Sequence, residues 1–158
     1  MRRTITVGAA CLATVAVVVA VWLGLAPALG QPTAPLNPWG PLAVIPPQDG
    51  ADAARTEGTL RITDECVHVE WRGELTFLFW PADRTIWDAE SRAIVFRNFD
   101  GTVVTVRDGD NVVLGGGGDS AAESGVTGEE WISRMRWVAP PAGSCLIDQR
   151  WAVGAVEG

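Results

Sequence analysis

Thr59-Leu60-Arg61-Ile62-Thr63-Asp64-Glu65-Cys66-Val67-His68-Val69-Glu70-Trp71-Arg72-Gly73-Glu74-Leu75-Thr76-Phe77-Leu78-Phe79-Trp80 is the stretch whose reading decides the fold. Leu60 and Ile62 alternate with Thr59, Arg61 and Thr63, and Val67, Val69 and Trp71 alternate with Cys66, His68 and Glu70. Successive side chains of a strand point to opposite faces, so this period of two marks half-buried strands. Arg72-Gly73-Glu74 reads as a hairpin turn. Leu75 to Trp80 is apolar on both faces, the pattern of a central strand, and Pro81 ends it.

The same period continues downstream. Ala93–Phe99 and Thr102–Arg107 flank Asp100-Gly101, a dipeptide suited to a type I′ hairpin turn. Asp108-Gly109 makes a second turn before Asn111–Leu114, and the glycines Gly115 to Gly118 read as the start of a polar loop reaching Gly125. Thr127-Gly128-Glu129-Glu130 has the form of a capping box, with Trp131 and Met135 on one helix face and Pro140-Pro141 closing the segment. Cys145–Ile147 and Arg150–Val156 read as one or two closing strands. Six or seven strands in meander order with one short late helix predict a mainly β fold, a small barrel or a sandwich.

Working outward, residues 5–25 carry no charge over 21 positions, behind Arg2 and Arg3. A helix of roughly 20 apolar residues crosses a hydrocarbon core about 30 Å thick. The arginines put residues 1–4 in the cytoplasm, and Trp22 falls at the far interface. A single-pass anchor follows, with the C-terminal domain outside the cell membrane. The alternative is a signal peptide cleaved after Ala26-Pro27-Ala28, although signal cores run only about 7–15 residues. Residues 26–55 hold Pro27, Pro32, Pro35, Pro38, Pro41, Pro46 and Pro47, a spacing that favours a semi-rigid polyproline tether. Trp39, Leu42, Val44 and Ile45 are apolar for a free linker and predict partial packing on the domain. Residues 56–158 then form the extracytoplasmic β domain.

Val104-Thr105-Val106-Arg107-Asp108-Gly109-Asp110-Asn111-Val112-Val113-Leu114-Gly115-Gly116 resembles the strand–Gly-Asp–strand segment of small OB-like β-barrels. An arginine-led anchor, a proline tether and a Trp-rich β domain together are similar to exported, membrane-anchored actinobacterial proteins. The resemblance implies an OB-like barrel and carries no catalytic residues.

Composition excludes several classes. All 19 acids lie beyond residue 48, so the part after residue 30 holds 10 arginines against them, a net charge of −9. Such a surface repels phosphate backbones and disfavours nucleic acid. The glycine run lacks the lysine of a phosphate loop, because the chain has no lysine. His68, the only histidine, has too few companions for a zinc site, and the spacing of Asp108, Asp110, Asp119 and Glu123 fits turns rather than a calcium loop. No catalytic residue, metal or cofactor is therefore expected. Cys66 and Cys145 are the only cysteines outside the apolar span, and in an oxidising compartment they predict one disulfide.

Eight tryptophans are many for 158 residues. Trp71, Trp80 and Trp151 fall on strands as core filling, whereas Trp87 reads as the most exposed. Trp87 and Asp119, with the 115–125 loop, are the expected ligand contacts. The leading function is a membrane-tethered, non-enzymatic binding module meeting a cell-envelope protein or glycan. The alternative is an extracytoplasmic hydrolase using carboxylates.

Overall fold

A computed structural model describes residues 37–50 and 53–157. Numbered in chain order, the strands are β1 (Ala43–Ile45), β2 (Ala54–Ile62), β3 (Val67–Trp71), β4 (Glu74–Pro81), β5 (Thr85–Asp88), β6 (Ala93–Arg97), β7 (Val103–Arg107), β8 (Asn111–Ser120) and β9 (Gln149–Glu157). Two short helices, α1 (Ala121–Ser124) and α2 (Gly128–Arg134), lie between β8 and β9. The span expected over residues 5–25 and the start of the tether lie outside the described residues. Among those described, no helix is long and apolar enough to cross a membrane.

Five strands close into a barrel. β3 pairs antiparallel with β2 and β4, β2 with β8, and β8 with β9, and β9 then returns parallel to β4 with Phe77 opposite Arg150. This is not the meander expected from sequence, and without the β9–β4 pairing the order β4-β3-β2-β8-β9 would leave β4 and β9 as edges. The parallel closure removes both. Alternation places Leu60, Ile62, Val67, Val69, Leu78, Trp80, Val112, Leu114, Val153 and Val156 inside one cluster, the barrel core.

β4 is apolar on both faces because both are covered. Leu78 and Trp80 point into the barrel core, while Phe77 and Phe79 join a second cluster with Cys66, Cys145 and Ile147. Trp131, Ile132, Met135 and Trp137, from α2 and the segment after it, pack on that second cluster. α2 starts as the capping box requires, with the Thr127 hydroxyl accepting from the Glu130 N–H. The Glu130 carboxylate pairs with Arg134 one turn on.

The remaining strands β5, β6 and β7 form a separate antiparallel sheet inserted between β4 and β8. Its inner face supplies Ile94, Phe96 and Val106 to the barrel core. The Asn98 side chain docks this sheet on β9, donating to Val156 O and accepting from Val156 N, both at 2.9 Å. β1 pairs parallel with β4, Ala43 opposite Phe79, and Leu42 to Ile45 are buried. Pro41 and Pro46 flank this strand rather than interrupt it, so the proline spacing does not forbid it.

The turns divide. Arg72 (φ 53°) and Gly73 (φ 83°) between paired Trp71 and Glu74 make the type I′ hairpin. At Asp100-Gly101 only the glycine has positive φ (87°), so the turn is not type I′. Gly101 N–H bonds Asn98 O at 3.0 Å, and the Asp100 carboxylate accepts from Thr102 N–H instead.

Gly115 to Gly118 are a strand and not a loop, because β8 runs unbroken to Ser120. β8 and β9 come together here across a bulge in which the pairing skips Gly154, Gly115 facing Ala155 and Gly116 facing Val153. A Cβ on Gly116 would fall 1.9 Å from Ala152 O, and one on Gly118 2.3 Å from Arg150 O. The glycines permit this close approach.

Candidate functional site

The outer face of β2, β3 and β4 carries a groove of about 540 Å³. The strands supply Arg61, His68, Glu70 and Leu75, the β2–β3 loop supplies Thr63, Glu65 and Cys66, and the β8–β9 connection supplies Ser144 and Leu146. The position follows from strand parity. Leu60, Ile62, Val67 and Val69 occupy the inner face, so Arg61, His68 and Glu70 must point out.

The two loops framing the groove are joined covalently. Cys66 and Cys145 form a disulfide with a Cα–Cα distance of 5.6 Å. Beside it the Ser144 hydroxyl donates to the Glu65 carboxylate. Leu75 is 36% exposed and Leu146 62%, two apolar side chains bordering one concave surface. Arg61 and Glu70 pair across the floor at 2.6 Å, half exposed to water, which makes the pair a weak stabiliser and an adaptable one.

His68 is buried at the base of the groove with its ring edge against Phe77. Its Nε2 lies 3.0 Å from Leu146 O, and because a carbonyl only accepts, Nε2 carries the proton and donates. Burial pushes its pKa below the usual histidine value, against the smaller upward pull of that carbonyl. A histidine protonated more readily unfolded than folded makes stability rise with pH between its folded pKa and about 6.5. The expected result is a melting temperature that falls as pH drops below about 6.5, less steeply in His68→Gln than in the wild type. Scanning calorimetry between pH 7.5 and 5 checks it, and parallel curves for the two proteins would contradict it.

The expected contacts lie elsewhere. Trp87 is half-buried against the barrel core, and a Cβ on Gly40 would sit 2.2 Å from its Nε1, so its indole covers that glycine. Asp119 accepts from Nε and Nη2 of the buried Arg150, whose guanidinium also lies 4.9 Å from the Trp131 ring. Both residues thus have packing and pairing duties away from the groove. Among the described tryptophans the exposed one is Trp71, at 49%, with Arg72 stacked 5.4 Å from its ring. Its place at the end of β3 explains the difference, because strand parity aims it inward but no barrel remains there to cover it.

Of the acids weighed for calcium and read as turn residues, Asp110 serves a turn, whereas Asp108 ties its turn to β2. Asp108 accepts from Ile62 N–H at 2.8 Å and Asp110 from Arg107 N–H at 2.7 Å. Among the described residues no group of three His, Cys, Asp or Glu side chains is arranged to hold a metal. Asp88 is held below the usual carboxylate range chiefly by the Ser91 hydroxyl, and Asp100 by the Thr102 N–H. Both shifts run opposite to what a general acid needs. The chain matches no protein-family model, no curated protein and no solved structure.

Sequence reasoning missed the groove because its walls are far apart in the chain. Leu75 and Leu146 are separated by a whole inserted sheet, and the one sequence signal linking the two sides is the cysteine pair.

Proposed function

We propose that the domain is a non-enzymatic binding module whose ligand, an apolar segment of a cell-envelope protein, lies in the groove over β2, β3 and β4. The observation that carries this reading is Leu75 and Leu146 exposed on one concave surface between two loops stapled by Cys66–Cys145. Stapled walls lose little freedom on binding, and apolar side chains in a concave site are typical anchors. We further propose that the barrel is of the OB type. In OB domains the second and third strands and the loops between strands one and two and four and five bind ligands, and the groove has that position. On this reading the chain is similar to membrane-anchored actinobacterial proteins, held by residues 5–25 with the domain outside the cell. The net charge of the exported part argues against nucleic acid there. Among the described residues Asp88 and Asp100 are shifted downward, which gives the carboxylate hydrolase no support.

The test has two parts. Protease added to intact cells or spheroplasts should remove a C-terminal tag, and a protected tag would overturn the topology. Peptides selected from a random library on the immobilised full chain should share apolar anchors and lose at least tenfold in affinity, about 1.4 kcal/mol, in Leu146→Glu and Leu75→Glu at unchanged melting temperature. Peptide binding indifferent to both changes would reject the groove. Binding of cell-wall glycan fragments, lost in Trp71→Ala, would move the site to that indole.

A further inference from the structure

The sheet of β5, β6 and β7 turns Ile94, Phe96 and Val106 toward the barrel, so its alternate residues face away from it. Ile86, Val95 and Thr105 stand opposite one another across the three strands, and Arg97 stands opposite Val103 two residues on. Ile86 is 62% exposed and Val103 54%, so no described residue covers them. Neighbouring apolar side chains left open to water on one face, with charges at their rim, mark a contact surface.

The rim charges complement each other. Asp83 and Arg97 line one shallow cavity of about 170 Å³ together with Ile86, Val95 and Val103. Both are exposed, and neither forms an ion pair among the described residues. An isologous contact requires this combination, because each residue must meet its complement on an identical surface. A two-fold axis lying in the plane of contact, between the two charges, sets Asp83 against the partner's Arg97 and Arg97 against the partner's Asp83. The apolar side chains then meet between the two ion pairs.

We propose that the outer face of β5, β6 and β7 binds a second copy of this chain in a two-fold dimer. A face of three short strands falls below the about 800 Å² per partner of a standard interface, so the association is weak. It lies on the inserted sheet, separate from the groove over β2, β3 and β4, and does not depend on the function proposed for that groove.

The experiment records amide resonances of the ¹⁵N-labelled full chain while unlabelled chain is added. Concentration-dependent movement centred on this face, Ile86, Val95 and Val103 included, is the expected result. Ile86→Asp puts a charge in the apolar centre, Arg97→Asp sets acid against acid, and Asp83→Arg sets arginine against arginine. Each should weaken self-association at least about tenfold. Labelled Arg97→Asp mixed with unlabelled Asp83→Arg should associate as the wild type does, because one acid then meets one arginine at both ends. Unchanged resonances away from the face verify the fold. If Asp83→Arg, next to the buried Arg84, disturbs it, Ile86→Asp and Arg97→Asp carry the test by themselves. Resonances indifferent to concentration, movement centred on another face, or wild-type association in Ile86→Asp or Arg97→Asp would overturn the proposal. A mixture of the two folded charge variants that associates no better than either alone would do the same. The face would then belong to residues before Asn37 or to another protein.

Discussion

Replacing Cys66 and Cys145 together by serine is expected to lower the unfolding free energy by about 4–5 kcal/mol. The bridge joins residues 79 apart in sequence, and opening so long a loop restores much of the unfolded chain's conformational freedom. A domain of this size is stable by about 5–15 kcal/mol in all, so the double variant should lose from roughly a third to nearly all of its stability and melt at a markedly lower temperature. Urea titration of wild type with and without reductant, beside the double variant, measures the loss. Coincident midpoints would show that the second cluster of Phe77, Phe79 and Ile147 holds the β8–β9 connection without the bridge. Both cysteines belong to that cluster, so the same loss should also loosen the wall that carries Leu146.

A comparable effect is expected from one methyl group. Gly116→Ala places a Cβ 1.9 Å from Ala152 O at a residue with φ of 150°, so both the backbone conformation and the β8–β9 spacing must change. Backbone strain and overpacking of that kind together cost about 2–6 kcal/mol. Gly143→Ala, whose Cβ would meet nothing within 4 Å, should stay within about 0.5 kcal/mol of wild type. Thermal unfolding of the two variants side by side decides it. Equal melting temperatures would mean that the barrel seam at Gly116 yields freely.

That seam also marks where sequence reading runs out. Four consecutive glycines carry no side-chain pattern, and the same four letters serve a mobile loop or a strand pressed against its neighbour. Only the position of Ala152 and Arg150 in β9 distinguishes them. The Asp100-Gly101 turn differs for a related reason: its type depends on whether Asp100 takes positive φ, and its carboxylate instead accepts the Thr102 N–H.

By itself the sequence determined the properties that depend on local chemistry. Period-two alternation located β2 and β3, the double apolar face marked β4 as central, and Arg72-Gly73 set a hairpin. Thr127 announced α2, and the two cysteines outside the apolar span implied their bridge. Each follows from residues within one turn or one strand of each other, or from a count. Tertiary structure alone decided the parallel closure of β9 on β4, the separate sheet of β5 to β7, and the pairing of β1 with β4 as a strand between its prolines. It also decided that Trp87 is packed and Trp71 exposed, and that Arg150 has a carboxylate while Arg84 has none among the described residues. These are long-range pairings, in which many partners satisfy the same local pattern and the choice among them is made by what the whole barrel must cover.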